Sequence, residues 1–306
     1  MKLIVARRNK LTTRHSSNFG QTDLEVSRIC YGTWEIGGFP FYKDCDRDTA
    51  IKLVQDIYEI GINFFDTAPV YGFGLAEEYL GEAIKGFRKD IVISTKCGLK
   101  WTKESLSAIE KDASREAIRS ELDDSLRRLQ TDYIDLYLIH WPDLNTPIQE
   151  SIQTLEELKV EGKIRYYGVS NFSLEQMQEA QQYGSVSGLQ SRFSRLRPEI
   201  SLKQREYCVQ QGIGIQAYSP LERGLLCGKS VEELKARDEA AVHWVIKNAP
   251  ENADKMIREH EEEAKENGLS FARQALHWVF QQEGMTTTIV GSCRLDHVRE
   301  LISRNI

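Results

Sequence analysis

The sequence predicts an α/β fold, a closed (β/α)8 TIM barrel of eight parallel strands with surrounding helices. Short apolar or β-branched runs alternate eight times with longer helical patterns along the 306 residues, and such alternation favours parallel strand pairing. The length suits one barrel, which typically takes about 250 residues plus insertions. Polar side chains follow most of the predicted strands, and only closure brings those strand ends to one face. We therefore predict a single domain over residues 1–306.

The predicted strands share apolar, β-branched or aromatic residues and lie at 29–33, 63–66, 91–97, 134–140, 165–170, 188–191, 214–219 and 287–291. The predicted helices share apolar residues at helical spacing and lie at 48–60, 75–85, 114–129, 148–161, 174–182, 202–211, 269–282 and 295–303. Ser114 and Ser173 precede acidic first turns, as N-cap residues do. An open, doubly wound sheet fits the same alternation, but the strand count and the polar strand ends favour a barrel.

Two segments lie outside this alternation. Residues 12–28 contain a turn signal at 20–23 and predict a short N-terminal β-hairpin that closes the bottom of the barrel. Residues 229–267 form a charged insertion between the seventh and eighth strands. We interpret its acidic run at 261–263 as a solvated helix face, with a lid over the barrel mouth as the alternative.

Composition excludes several classes of protein. The formal net charge of −6 gives no overall attraction to nucleic acid or to an anionic membrane. No run of about 18 apolar residues predicts a membrane-spanning helix, and the first 19 residues lack the pattern of a secretory signal. The six cysteines show no Cys-x-x-Cys spacing, which predicts free thiols, a reducing cytoplasmic location and no metal site. A monomer and a homo-oligomer both remain open.

Four residues near consecutive strand ends suit one reaction: Asp66, Tyr71, Lys96 and His140. A free tyrosine has a pKa of about 10, which we expect the Lys96 ammonium to lower. We expect Asp66 to pair with Lys96, and His140 to hydrogen-bond a substrate oxygen. The group suits carbonyl reduction, in which hydride reaches the carbon while Tyr71 protonates the oxygen. No side chain supplies hydride, so a cofactor must.

The later strand ends predict a nicotinamide cofactor. Ser170, Asn171 and Gln190 offer both donors and acceptors for a carboxamide, and Tyr218 is placed to stack on a flat ring. Backbone amides of the loop after strand seven, and those before the last helix, suit phosphates. The remaining predicted cofactor contacts are Thr33, Ser219, Pro220, Leu221, Gly224, Gly291, Ser292, Arg294 and His297.

Several long motifs, in this order, resemble the aldo-keto reductase family from about residue 24 onward. They are GINFFDTAPVYG at 61–72, ISTK at 93–96, IDLYLIHWP at 134–142, GKIRYYGVSNF at 162–172 and AYSPL at 217–221. The resemblance implies a catalytic tetrad of Asp66, Tyr71, Lys96 and His140, with NADPH bound in extended form at the barrel top. It implies reversible hydride transfer to small aldehydes or ketones. The chain is similar to bacterial short-loop members, which are related to potassium-channel β-subunits.

The chain departs from the family pattern at two places. The family's adenosine-binding pair in the last helix is replaced by His297 and Leu301, so NADH stays open beside NADPH, with Arg294 the candidate for a 2′-phosphate. After Gln190 the family often has a Tyr-Asn pair, where this chain has Arg192 and Arg195. We interpret both arginines as surface charges, with contacts to a polar or anionic substrate as the alternative.

The substrate side of the site is predicted from three tryptophans. Trp34, Trp101 and Trp141 follow the first, third and fourth strands and suit an apolar pocket, although exposed loop aromatics without a function fit equally well. A different class of function, a nicotinamide-binding regulatory or sensor subunit with slow turnover, is the alternative. A metal-dependent hydrolase is disfavoured, because no His and acid ligands converge at the strand ends.

Overall fold

The structure, a computed structural model, describes residues 16–38, 45–228 and 250–302. Eight parallel strands close into a barrel. They are β3 (Ile29–Gly32), β4 (Phe64–Asp66), β5 (Val92–Cys97), β8 (Ile134–Ile139), β9 (Ile164–Ser170), β10 (Gly188–Arg192), β11 (Gly214–Tyr218) and β12 (Met285–Val290). Closure comes from β12 pairing with β3, where Val290 lies opposite Tyr31. The predicted barrel is confirmed, and the open-sheet alternative is wrong.

The helices pack around this barrel and enclose the main core between their inner faces and the strands. They are α1 (Arg47–Glu59), α2 (Leu75–Ala83), α3 (Arg115–Leu129), α4 (Ile148–Val160), α5 (Leu174–Ala180), α6 (Leu202–Gln211), α7 (Ala253–Glu266), α8 (Phe271–Phe280) and α9 (Leu295–Ile302). Ser114 caps α3 by accepting from the Ala117 amide, and Ser173 forms a capping box with Gln176 on α5, as predicted. None of the helices in the described ranges is long and apolar enough to cross a membrane.

An antiparallel hairpin closes the bottom of the barrel. It consists of β1 (Ser16–Asn18) and β2 (Glu25–Ser27), and Phe19 at its turn is fully buried. The Phe19 ring meets Phe64 edge to face at 5.9 Å between ring centroids. The predicted hairpin is therefore present, although residues 12–15 of the predicted segment lie outside the described residues.

Two glycines leave space for the Phe19 ring, which fills the bottom of the barrel like a plug. A Cβ atom on Gly214 would lie 2.7 Å from the Phe19 ring, and one on Gly188 would lie 3.0 Å from it. Both glycines begin barrel strands, β11 and β10. A Cβ atom at Gly214 would collide with the Phe19 ring, and one at Gly188 would be unusually close to it, so the approach of the ring favours glycine at both positions.

The mouth of the barrel carries a small antiparallel pair that the sequence analysis missed. It consists of β6 (Leu99–Trp101) and β7 (Ile109–Lys111) and follows β5 directly. Each strand has three residues, which is too short to show a clear alternation in the sequence. The pair carries the predicted pocket residue Trp101.

The charged insertion is described only in part, because residues 229–249 lie outside the described residues. Its remainder forms α7, on which Glu261 and Glu262 are exposed as predicted. Glu263 is different, since both its oxygens accept hydrogen bonds from Arg195, one of them at 2.7 Å. The interpretation of Arg195 as a surface charge is therefore wrong, because its side chain is only 10% exposed. The acidic run remains solvent-exposed, since the Glu263 side chain is 41% exposed although it pairs with Arg195. The ion pair ties α7 to the connection after β10. The single domain over residues 1–306 stays a prediction.

We expect the Gly214→Ala variant to lose about 1–3 kcal/mol of unfolding free energy, because its methyl group must push against the Phe19 ring. Chemical denaturation followed by circular dichroism measures the change. In the Gly214→Ala, Phe19→Leu double variant, the loss of unfolding free energy should differ from the sum of the losses in the two single variants. Such non-additivity is expected for residues in contact.

The matched control is Gly86→Ala. Gly86 is exposed, and a Cβ atom there meets nothing within 4 Å. Its unfolding free energy should stay within about 0.5 kcal/mol of the parent. Equal losses at Gly86 and Gly214 would contradict the role of Phe19 as the plug.

Candidate active site

Lys96 lies at the centre of the barrel mouth. It is near the end of β5 and fully buried. Its Nζ donates to Asp66 Oδ2 at 2.7 Å, to the Thr67 carbonyl at 2.8 Å and to the Tyr71 hydroxyl at 3.2 Å. Burial disfavours its charged form, but Asp66 and Tyr71 outweigh burial and raise the Lys96 pKa. Lys96 therefore carries a positive charge at neutral pH.

Asp66 ends β4 and has both carboxylate oxygens occupied. While Oδ2 binds Lys96, Oδ1 accepts from Ser94 Oγ and from Gln190 Nε2, each at 2.7 Å. Gln190 Nε2 also donates to Gln216 Oε1 at 2.7 Å. The burial of a carboxylate is costly unless hydrogen-bond donors surround it, and these three donors do so. Asp66 is thus held in one orientation by residues of two other strands, β5 and β10.

Two members of this network, Ser94 and Gln216, were not predicted from the sequence. Ser94 precedes Lys96 by two residues, so strand alternation places both on the inner face of the barrel. The two-residue spacing between Ser94 and Lys96 is the sequence signal that could have identified Ser94. The bond from Gln190 to Asp66 was also unforeseen, and the predicted contact of Gln190 with a nicotinamide stays a prediction.

Tyr71 lies in a tight turn, Tyr71–Gly74, after β4. Gly72 has φ 59° and packs against Gly37, whose carbonyl oxygen would be 2.0 Å from a Cβ atom at Gly72. This contact holds the turn against the connection after β3. Burial raises the pKa of Tyr71 to about 12, and the opposing effect of Lys96 is smaller. Lys96 lowers this pKa as predicted, but burial has the larger effect and was not anticipated.

His140 follows β8 and faces Tyr71 across the mouth. The two rings lie 6.2 Å apart between centroids and are nearly perpendicular, at 81°. Burial and the nearby Lys96 charge lower the His140 pKa well below its ordinary value of 6.5. The imidazole is therefore neutral at pH 7 and keeps one N–H donor. Asp66, Tyr71, Lys96 and His140 thus lie together as the sequence analysis expected.

Polar groups continue beside His140. Asn171 Nδ2 donates to the His140 carbonyl at 3.1 Å and to Ser170 Oγ at 3.0 Å. Asn171 Oδ1 accepts from the Tyr218 hydroxyl at 2.9 Å. Three of the residues predicted to bind a nicotinamide therefore form one hydrogen-bonded chain next to the tetrad.

Two buried hydroxyl groups near these strand ends indicate whether the barrel mouth suits a polar ligand. The Oγ1 atoms of Thr33, after β3, and of Thr67, after β4, have no hydrogen-bond partner within the described part of the chain. Buried hydroxyl groups normally have one. Together with the donors and acceptors around Asn171, they fit a ligand with polar groups, as a nicotinamide dinucleotide has.

The loop after β11 carries Ser219, Pro220, Leu221 and Gly224 of the predicted phosphate contacts. Ser219, Arg223 and Gly224 have positive φ angles of 56°, 53° and 107°. The amides of Glu222 and Gly224 donate to the Ser219 and Leu221 carbonyls within the loop, so the predicted phosphate contacts stay a prediction. The sequence analysis missed the cation of this loop, Arg223, whose guanidinium lies 4.7 Å above the Trp34 ring.

The predicted adenosine end lies at the start of α9. Ser292 Oγ is 3.1 Å from His297 Nδ1 and accepts from the Arg294 amide. Both Arg294 and Asp296 are exposed, and the Arg294 side chain donates to both oxygens of Asp296. The candidate cation for a 2′-phosphate is therefore already paired with an acid, which the sequence analysis did not foresee.

A second acid, Glu35, also lies in this region and was missed. Its carboxylate packs on Gly291, where a Cβ atom would come within 1.8 Å of Oε2. Burial raises the Glu35 pKa to about 7. Gly291 therefore allows the close approach of a carboxyl group to the predicted phosphate contacts.

The three predicted pocket tryptophans all lie at the mouth. Trp34 stacks on Tyr71 at 6.2 Å between centroids. Trp101 lies 5.7 Å from the Phe73 ring. Trp141 is 39% exposed, with Lys111 Nζ 5.4 Å from its ring centre. Trp34 is thus closest to the tetrad, while Trp141 lies at the rim.

The interpretation of Arg192 as a surface charge is wrong. Arg192 ends β10, is only 6% exposed and lies 3.3 Å from Glu222 Oε2, with its guanidinium 5.8 Å from the Tyr218 ring centre. Ser194 Oγ also donates to Glu222, at 2.7 Å. Arg192 therefore links β10 to the loop that carries the predicted phosphate contacts. No cluster of three or more metal-ligating side chains lies within residues 16–38, 45–228 and 250–302.

Comparisons with known proteins agree with this geometry. The model of the Aldo/keto reductase family matches residues 28–305. An NADH-specific methylglyoxal reductase of Escherichia coli (strain K12) is 34% identical over 297 residues, which cover 93% of this chain and 91% of that protein. A probable voltage-gated potassium channel subunit beta of Oryza sativa subsp. japonica is 30% identical over 302 residues, covering 92% and 88%. The solved structure of a glycerol dehydrogenase from Gluconobacter oxydans has a TM-score of 0.82 at 32% identity, covering 96% and 92%.

We expect the Asp66→Asn variant to lose about 3–5 kcal/mol of unfolding free energy, because Lys96 then stays buried without its counter-charge. Urea denaturation measures the loss. Asp124→Asn is the control, since Asp124 and its partner Arg127 are both exposed and such pairs contribute little. An Asp66→Asn variant as stable as the Asp124→Asn control would contradict the dependence of Lys96 on Asp66.

Proposed function

The chain belongs to the aldo-keto reductase family, a family of oxidoreductases, and we propose that it reduces small aldehydes or ketones to alcohols with NAD(P)H. One observation carries the proposal. The hydroxyl of Tyr71 lies 3.2 Å from a buried ammonium, Lys96, which Asp66 keeps charged. A proton donor so placed suits the reduction of a carbonyl group, and the reverse oxidation uses the same groups.

Tyr71 is the proton donor in this proposal. Its raised pKa keeps it protonated at neutral pH, so the proton is available when the substrate oxygen becomes basic. Once the proton leaves, Lys96 stabilises the phenolate that remains, and Asp66 stabilises Lys96. When bound, a reduced nicotinamide supplies the hydride.

His140 and the neighbouring polar residues orient the reactants. The neutral imidazole donates a hydrogen bond to the substrate oxygen without competing for the proton of Tyr71. Ser170 and Asn171 bind the carboxamide of the nicotinamide, and Tyr218 packs against its ring. Trp34, Trp101 and Trp141 border the substrate, which favours small and partly apolar carbonyl compounds.

The rest of the cofactor belongs along the loops after β11 and β12. Thr33, Gln190, Ser219, Pro220, Leu221 and Gly224 contact its central part in this proposal, and Gly291, Ser292, Arg294 and His297 contact the adenosine end. NADPH follows from the resemblance, whereas the name of the Escherichia coli relative and the pairing of Arg294 with Asp296 support NADH. A cytoplasmic location is part of this proposal, because all six cysteines are present as thiols.

A regulatory or sensor subunit is the second candidate function. It is favoured by the relative named as a potassium channel subunit beta. Such a protein would bind the cofactor tightly and turn over slowly. A stable complex with NADPH or NADH, combined with negligible reduction of every carbonyl compound tried, would favour this candidate over an enzyme.

We expect Tyr71→Phe to lower kcat for aldehyde reduction by about 10²–10⁴-fold, since the proton donor is removed. Loss of NADPH or NADH absorbance with methylglyoxal and a panel of simple aldehydes measures the rate. Cofactor binding, followed by quenching of tryptophan fluorescence, should stay near that of the parent. Tyr207→Phe, on α6, is the control and should keep the parent rate. A Tyr71→Phe variant with the parent's kcat would refute the assigned role.

We expect Asp296→Asn to strengthen NADPH binding by about three- to tenfold while leaving NADH binding nearly unchanged. The reason is that Arg294, released from its counter-charge, becomes available to a 2′-phosphate. Parallel titrations with the two cofactors at low ionic strength measure the two dissociation constants.

The control for that titration is Asp48→Asn, which removes an exposed acid paired with Arg47 on α1. It should leave the ratio of the two dissociation constants unchanged. An equal effect of Asp296→Asn on both cofactors would show that Arg294 does not contact the 2′-phosphate.

A further inference from the structure

The loop after β11 has a backbone conformation that most of its residues do not favour. Ser219, Glu222 and Arg223 have φ angles of 56°, 44° and 53°, in the left-handed region that residues other than glycine rarely adopt. Such residues persist where the surrounding structure holds them. The loop therefore depends on contacts from outside itself to keep the shape in which its predicted phosphate contacts lie.

Glu222 makes such contacts with the connection after β10. It is only 1% exposed. Its Oε1 accepts from Ser194 Oγ at 2.7 Å, and its Oε2 accepts from Arg192 Nη1 at 3.3 Å. Arg197 Nε lies 3.9 Å from the same Oε2. One acid of the loop is thus held by three residues of a neighbouring connection, and hydrogen bonds to a carboxylate are stronger than those between neutral groups.

Arg192 also borders the residues predicted to bind the nicotinamide. It lies opposite Tyr218 in the pairing of β10 with β11, and its guanidinium is 5.8 Å from the centre of that ring. The Tyr218 hydroxyl donates to Asn171 Oδ1 at 2.9 Å. Arg192 therefore lies between the predicted nicotinamide contacts and the loop with the predicted phosphate contacts, and it binds that loop through Glu222.

The rest of the loop reaches other parts of the mouth. Arg223, next to Glu222, lies with its guanidinium 4.7 Å from the Trp34 ring centre, in the connection after β3. Leu225 and Leu226 are buried in an apolar cluster with residues of α7 and α8. Apolar packing thus holds the end of the loop, whereas the contacts of Glu222 hold the part with the predicted phosphate contacts.

We propose that the ion pair of Arg192 and Glu222 positions the loop after β11 for the pyrophosphate of the cofactor and aligns it with the nicotinamide contacts. The inference rests on the proposed function. Neither residue needs to touch the pyrophosphate, so both are positioning residues. The pyrophosphate is common to NADH and NADPH. The pair should therefore set the affinity for both cofactors and leave the tetrad, which lies at other strand ends, unchanged.

The test is the Glu222→Gln variant, which keeps the size of the side chain and an acceptor for Ser194 but removes the charge that binds Arg192. We expect the dissociation constants of NADH and NADPH to rise by the same factor, about tenfold. The KM for the cofactor should rise with them, while kcat at saturating cofactor stays within about twofold of the parent. Quenching of tryptophan fluorescence and steady-state reduction of methylglyoxal measure these quantities.

The matched control is Glu77→Gln, which also alters a buried, paired glutamate. Glu77 lies on α2, and its two oxygens accept from Thr95 Oγ1 and Arg128 Nε, each at 2.6 Å. This variant should lose unfolding free energy, as Glu222→Gln does, but keep the dissociation constants of the parent. Adding Arg192→Met to Glu222→Gln removes the uncompensated buried charge, so stability should recover in part while cofactor binding stays weak.

If Glu222→Gln fails to fold, Arg192→Lys tests the same pair, because it keeps the charge and loses the planar group that binds the carboxylate. It should weaken the binding of both cofactors by about threefold. The inference is overturned if the parent binds both cofactors and the variants bind them equally tightly, if NADPH alone is affected, or if kcat falls while the dissociation constants stay unchanged. A parent chain that binds neither cofactor would overturn the proposed function, and this inference with it.

Discussion

The buried ion pair between Lys96 and Asp66 is the interaction on which the mouth of the barrel depends. Neither side chain is more than 2% exposed, so each charge is stable only because the other is 2.7 Å away. The second oxygen of Asp66 needs donors of its own, which Ser94 and Gln190 provide. This requirement places side chains from three strands, β4, β5 and β10, around the ion pair. It also leaves a fixed ammonium beside Tyr71, which the proposed proton transfer needs.

The apolar residues that stabilise the barrel and the polar residues of the candidate active site lie at opposite ends of the barrel. At the bottom, Phe19 fills the space that Gly188 and Gly214 leave open, and the packing there is apolar. At the top, ion pairs hold the loops: Arg192 forms a buried pair with Glu222 of the loop after β11, and Arg195 pairs with the partly exposed Glu263 of α7. Because the bottom supplies apolar packing, the top can hold polar groups whose burial is costly.

The acids next to individual arginines, rather than the net charge of the chain, decide what the predicted phosphate contacts can bind. The chain carries a formal charge of −6, yet Arg223 and Arg294 both lie near the predicted phosphate contacts. Each has an acid close by, since Asp296 pairs with Arg294, and Arg223 acts to lower the pKa of Glu35. The charge available to a phosphate therefore depends on whether these acids are protonated or displaced.

The sequence by itself determined the barrel, its bottom hairpin and the grouping of Asp66, Tyr71, Lys96 and His140. Strand alternation and position at a strand end are local properties, and closure of the barrel brings those ends together. Only the tertiary structure decided which polar groups pair. Gln190 donates a hydrogen bond to Asp66 across 124 residues of sequence. It also decided the pKa of Tyr71, because the extent of burial, unlike the presence of a lysine, depends on every element packed around the ring.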